Sequence, residues 1–444
     1  MAKELPRTAV LRSYLRSLVS RAGLRHGMAM FAATSLANVL DYGFNVAMGR
    51  LLSAGGYGVL VALNAVLQIV SVSMVVGSTV VAHYIAEFAA RGQRGRMSAF
   101  VQSALRSTVL WGGGAALLVG VLSAPIARLL QIPSKTPVWV AAAALLPMVV
   151  KLVTVGTLQG LQKFNALGTT HVIQAALRLA FGVLLVRLGT DAVGALAALP
   201  ASATGSVLLG LAFLGGIAWK RTGAAHRVRT ADLMRYAGAT IVGVVSFAAL
   251  TNVDVLIVKR YYPPVEAGYY SMAVTLGKII VFLPAAFAQV LFPKSAQRHV
   301  QRRDSSRLVR LSLAATSLPC AALTAAYWVA PGPILRTVFG VASPFQGPVL
   351  GLLALAMSGY ALVNVWLNYF LSVEQTGFVY ALAAALIAQL VLLTLYHDTL
   401  TQVAIVLAVT GAGLLVFSEA WFQLQRRDHR ERTAREPPYG PDGS

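Results

Sequence analysis

The 444-residue chain is short of charge: Asp, Glu, Lys and Arg make up 12% of it, against about 25% in a soluble domain. Half the usual polar coat cannot cover a folded surface in water, which excludes a soluble enzyme and equally a basic soluble nucleic-acid binder. A disordered chain is excluded from the other side, by a hydrophobic content of 57%. Acids are the scarcest class, 15 Asp+Glu against 37 Lys+Arg, for a net charge of +22. Cysteine occurs once, at Cys320, within an apolar run, so no intramolecular disulfide can form. No spacing of Cys, His, Asp and Glu suggests a metal site. No DxD, HExxH, GxSxG or phosphate-binding glycine loop is present, and no cofactor is expected.

What the chain has in abundance is long apolar runs. A spanning helix needs about 20 such residues, and twelve segments qualify: 27–48, 57–82, 99–123, 137–159, 168–187, 192–218, 236–258, 268–292, 308–330, 347–371, 377–396 and 400–422. The fold class expected is an all-α polytopic membrane protein. Lys and Arg gather on the cytoplasmic side of such proteins. With the N-terminus inside, 26 of the 37 fall in the termini and inner loops and 7 in the outer loops, the latter including Arg50, Lys259 and Arg260. Both ends are therefore expected in the cytoplasm. The first apolar run follows a basic lead too long for a signal-peptide n-region and reads as a span.

The expected organisation is a basic N-terminal segment (1–26), a first bundle of six helices (27–218), a basic linker (219–235), a second six-helix bundle (236–422) and a disordered tail (423–444). Within 9–25, Leu11, Leu15, Leu18 and Val19 share one helical face flanked by Arg12 and Arg16. That suits either an interfacial helix on anionic lipid or a basic lead that sets topology.

An internal repeat supports the two bundles. MGRLLSAGGYGVLVAL (48–63) has a counterpart in VKRYYPPVEAGYYSMAV (258–274), with Arg50 and Arg260 placed 210 residues apart. In each copy the preceding span carries an acid, Asp41 or Asp254. Parallel repeats related by an axis along the membrane normal are a common transporter plan, with substrate held between the halves.

The segments GRLLSAGGYGVLVALNAVLQIVSVSMVVGSTVVAHYIAE (49–87) and NVDVLIVKRYYPPVEAGYYSMAVTLGKIIVFLPAAFAQVLFPKSAQ (252–297) resemble the hairpins of polysaccharide and oligosaccharide flippases. These are the O-antigen, Wzx-type members of the multidrug/oligosaccharidyl-lipid/polysaccharide exporter superfamily. The resemblance implies a MATE-like fold of twelve helices in two bundles and alternating access rather than enzymatic chemistry. It also implies a polyprenyl-pyrophosphate-linked oligosaccharide as cargo, moved across a bacterial inner membrane for polysaccharide biosynthesis, with polymerase machinery downstream. A multidrug or cation extruder of the same superfamily, a lipid II flippase and a membrane glycan polymerase are the alternatives.

Charge inside the bilayer is costly, about 2.5–3.5 kcal/mol on insertion scales, so charges within spans mark function or pairing. Lys151, Arg178 and Lys278 lie near midspan and Arg106 nearer a cytoplasmic end. Together they are the candidates for a cationic, substrate-binding cavity, since guanidinium and ammonium both suit phosphate oxygens. Asp41 and Asp254 either couple transport to H+ or Na+, or pair with these cations. Pro147, Pro200, Pro284 and Pro319 interrupt spans and are expected to kink them. Gly112, Ala116 and Gly120, and Ser202, Ser206 and Gly210, are expected to pack helices closely. His171, the His83/Glu87 pair and the His397/Asp398 pair read as caps or local pairs.

Overall fold

A computed structural model describes residues 21–219, 231–282, 306–341, 348–373, 375 and 377–435. Residues 9–20 of the amphipathic lead, most of the basic linker, Pro284 and the end of the eighth span lie outside them. Among the described residues all regular structure is helical. The helices are α1 (Arg21–Leu51), α2 (Ala54–Ala90), α3 (Arg94–Val121), α4 (Ser123–Leu129), α5 (Thr136–Gly160), α6 (Phe164–Leu185) and α7 (Asp191–Leu214). They continue with α8 (Ala231–Leu250), α9 (Val253–Tyr261), α10 (Pro264–Phe282), α11 (Ser306–Val329), α12 (Pro331–Phe339), α13 (Val349–Ser372), α14 (Gly377–Leu395) and α15 (Leu400–Arg435). Each expected span falls on one of these, or on the pair α8–α9; the short α4 and α12 follow the third and ninth spans.

Eight helical stretches of the described residues are long and apolar enough to cross a membrane, or nine with α8–α9 taken as one bent span. One of the eight, Phe164–Leu214, holds two spans. Gly189 (φ 85°) and Asp191 (φ 47°) turn the chain between α6 and α7, which then pack side by side. The outward faces are apolar: on α3, Leu110 and Trp111 are 75% and 76% exposed. Water would not tolerate such a row and a bilayer requires it. The protein is a multi-pass membrane protein.

The chain forms two compact units. One is Met1–Ile241 with Lys259–Met272 and Val338–Gly340; the other is Val242–Val258, Ala273–Thr337 and Val341–Ser444. This differs from the boundaries expected at 218 and 236, because three pieces of the second half, 236–241, 259–272 and 338–340, belong with the first. The reason is local. A Cβ on Gly268 would overlap the Ala54 carbonyl, and one on Gly58 would come within 3.2 Å of the Gly268 Cα. Only glycines permit that approach.

In the first unit α1 packs on α6, α6 on α7, and α5 on α2, α3 and α7. The α2–α5 contact is set by Gly156 and Gly160, where an added Cβ would stand 2.5 Å from the Ser78 carbonyl oxygen and 2.6 Å from that of Ala82. This four-residue glycine spacing is the close-packing signal, and it was not among the expected stripes. Of those, Ser202 and Ser206 are buried and Gly210 abuts Thr154, whereas Gly112 meets α5 and Gly120 meets nothing within 4 Å. Gly156→Val is expected to cost about 1–3 kcal/mol by overpacking, read as a lower melting temperature in detergent. Gly113→Val, at a position with nothing within 4 Å, should leave it unchanged.

In the second unit α13 packs on α11 and α15, and α15 on α14. Pro147, Pro200 and Pro319 lie inside α5, α7 and α11 without ending them. Among the described residues a 43° bend occurs between α8 and α9, at Thr251–Asn252, with no proline. The tail also differs from expectation: α15 runs to Arg435 instead of stopping near 422. The segment QLQRRDHRERTAR is rich in helix formers, with Asp428 and Glu431 four residues before Arg432 and Arg435.

Candidate functional site

Each unit holds its own polar cluster. In the first, α6 carries His171, Gln174 and Arg178 at spacings of three and four, hence on one face. Arg178 is the hub. Its Nη1 lies 3.3 Å from Asp41 Oδ1 on α1 and its Nη2 donates to Asn64 Oδ1 on α2 at 3.4 Å. Its guanidinium carbon stands 4.3 Å from the centroid of the Phe44 ring. The pair is asymmetric: the Arg178 side chain is 14% exposed and that of Asp41 45%. Arg178 is thus held by a ring face and two acceptors, while half of the carboxylate remains open.

Lys151, on α5, donates to the Gln174 side chain and lies within electrostatic range of Asp41 and of His171. His171 Nε2 is buried and has no hydrogen-bond partner. His171, expected as a cap, instead belongs to the cluster. Lys151, Arg178 and Asp41 are therefore brought together as two cations beside one acid.

In the second unit the bend between α8 and α9 organises the site. Lys278 on α10 donates to Asn252 Oδ1 at 2.6 Å and lies within electrostatic range of Asp254, which is fully buried on the first turn of α9. The broken helix is mended by side chains. Asn252 Nδ2 donates to the Ala248 carbonyl at 2.8 Å, and Gln389 Nε2, from α14, to the Leu250 carbonyl at 2.9 Å. Gln389 Oε1 in turn accepts from the buried Tyr360 hydroxyl at 2.7 Å. Tyr360 lies within electrostatic range of Asp254 as well.

Five of the six candidate residues thus fall into two groups, Asp41/Lys151/Arg178 and Asp254/Lys278. Arg106 joins neither and is an exposed residue of α3. The loop boundaries also misplaced Lys259, which is 1% exposed on the last turn of α9. Asn64, Gln174, Asn252, Tyr360 and Gln389 join the clusters without a charge to mark them in the sequence. Uncharged amides and hydroxyls within spans were the available signal.

The chain covers 89% of its length, and 95% of the other, in a match to an inward-facing multidrug resistance MATE family transporter of the MOP superfamily, with 12% identity and a TM-score of 0.74. The lipid II flippase MurJ in an inward closed conformation matches at 12% identity and a TM-score of 0.70, over 89% and 87%. A MOP superfamily transporter from Pyrococcus furiosus matches at 13% identity and a TM-score of 0.62, over 90% and 94%. At such identities these matches show the fold, which is MATE-like. No curated protein matches the chain. The family model described as Polysaccharide biosynthesis protein matches residues 23–299, more than half of the sequence, and the chain belongs to that family.

Proposed function

We propose that the protein is a flippase. It moves a polyprenyl-pyrophosphate-linked oligosaccharide to the outer leaflet of a bacterial inner membrane by alternating access, with both termini cytoplasmic. It is a transporter and not an enzyme, and a polysaccharide polymerase takes up its product. The carrying observation is the charge balance of the first cluster, where Lys151 and Arg178 face a single acid. Arg178 is answered by Asp41, but Lys151 is held by a neutral amide. A cation at midspan without its own counter-ion is costly, and the pyrophosphate of a lipid-linked glycan supplies about two negative charges where one is missing. In the second unit Lys278, held by Asn252, offers an ammonium of the same chemistry.

The multidrug alternative requires the opposite polarity, since cationic cargo calls for acids. The Pyrococcus furiosus neighbour is described as having a binding pocket of reverse polarity that suggests a different function. Here it is the excess of cations over acids in the first cluster that favours anionic cargo. In this reading Asp41 and Asp254 carry the coupling ion, H+ or Na+. Transport in vesicles that is indifferent to both gradients would remove that role.

The test is reconstitution into liposomes with a fluorescent pyrophosphate-linked oligosaccharide in one leaflet. Translocation is expected to depend on the protein, and Lys151→Met and Lys278→Met should each reduce it by about tenfold to a hundredfold, the equivalent of one charged hydrogen bond. Undiminished translocation by the Lys151→Met/Lys278→Met double variant, or extrusion of a cationic dye in place of the glycan, would refute the assignment.

A further inference from the structure

The repeated hairpins meet one another within the first compact unit, and they do so reciprocally. Arg50, at the end of α1, donates through Nε to the carbonyl of Val338 at 2.7 Å. That carbonyl lies in the last turn of α12. Arg260, at the end of α9, reaches through Nη1 to the carbonyls of Arg128 and Leu129, at 3.5 and 3.4 Å, in the last turn of α4. The bond is returned, for Gln131 Nε2 donates to the Arg260 carbonyl at 2.7 Å.

The two short helices are themselves copies. Pro125, Ile126 and Arg128 of α4 correspond to Pro333, Ile334 and Arg336 of α12, 208 residues on, nearly the offset that relates Arg50 to Arg260. The arginine of each hairpin therefore caps the short helix of the opposite half of the sequence.

The chemistry is that of a helix C-terminus. The last carbonyls of a helix have no partner within it, and a cation is favoured beside them. A guanidinium supplies both donors and charge. Around the two caps the packing is close. The buried Phe339 lies against Gly49, with no room for a Cβ, and 5.8 Å from the Tyr57 ring. Gly268 is fitted against Ala54 and Gly58, and Gly55 against Pro264.

We propose that Arg50 and Arg260 form a reciprocal latch that closes the hairpin end of the protein to water, with the Gly58–Gly268 contact as its seal. Passage of cargo at that end requires both caps to release. The latch is independent of cargo identity, and its test reads water access without transport.

A cysteine replaces Asn45, one turn from Asp41 towards the hairpin end, in a Cys320→Ser background. Its reaction with a membrane-impermeant maleimide is timed from the hairpin side. Labelling should be slow with both arginines present and at least tenfold faster in Arg50→Ala/Arg260→Ala. Gly268→Ala, which wedges the seal without touching either arginine, should accelerate it likewise. Monodisperse elution in detergent identifies the folded variants. Equal labelling rates in the parent and in whichever of these variants is folded would overturn the latch. So would a fall in melting temperature with no gain in access, which would reduce the arginines to structural caps. Loss of glycan translocation in liposomes with access unchanged in the parent would bear on the cargo assignment alone.

Discussion

Asp41→Ala is expected to destabilise the protein more than Arg178→Met does, although the two side chains form one ion pair. Removing the acid strands a guanidinium that is 14% exposed, and breaking a buried pair in this way costs about 3 kcal/mol or more. Removing the base strands a carboxylate that is 45% exposed. In the water-filled path proposed for the cargo that open side is screened, and the cost falls to about 1 kcal/mol. The Asp41→Ala/Arg178→Met double variant should recover most of the loss, because neither charge is left alone. Melting in detergent gives the order of the three variants.

Transport should follow a different order. Arg178→Met, the better-folded single variant, should lose about tenfold to a hundredfold in translocation if its guanidinium meets phosphate, and the double variant should stay inactive. Full activity in the double variant would mean that the pair only holds α1, α2 and α6 together.

The second large effect is expected at a residue without charge. Gln389→Leu removes the amide that joins the Leu250 carbonyl to the Tyr360 hydroxyl, and Leu250, Tyr360 and Gln389 are all fully buried. Each group left unmet costs about 1–3 kcal/mol, which puts the variant about 2–6 kcal/mol below the parent. Adding Tyr360→Phe should restore the hydroxyl's share, since removing both partners is cheaper than removing one. Hydrogen exchange should quicken at 248–254, where the bend would lose its external support. If exchange there is unchanged, Asn252 and Thr251 alone maintain the bend through their bonds to Ala248 and Phe247. Because Asn252 also holds Lys278, a loosened bend should lower translocation too.

The sequence made the spans legible because a run of 20 apolar residues has few alternatives. Midspan charge is legible for the same reason, and five of the six charged candidates lie in two groups, one in each unit. Arg106 fails because periodicity says where a residue lies along a helix and little about which face is covered, and α3 is covered mainly around Met97, Ser98, Val101 and Gly112. The α8–α9 bend was illegible because its signal is Thr-Asn ahead of Asp254, not proline. Its mending bond comes from Gln389, 139 residues away from Leu250. Pro147, Pro200 and Pro319, expected to kink their spans, sit within helices that continue past them. Gly156 and Gly160 carry the packing signal, but in a run with so many small residues their partners become visible only when α2 lies against them.

The crossed bonds of Arg50 and Arg260 have a further consequence. A contact in which one residue meets a second, and the counterpart of the first meets the counterpart of the second, is what a two-fold homodimer makes at its isologous interface. Here both sides belong to a single polypeptide. The hairpin that begins at Arg50 and the one that begins at Arg260 are therefore not free to diverge separately. Bulk added to either glycine of the Gly58–Gly268 contact must be absorbed by the other copy, and neither half of the sequence carries a complete set of caps for its own short helix.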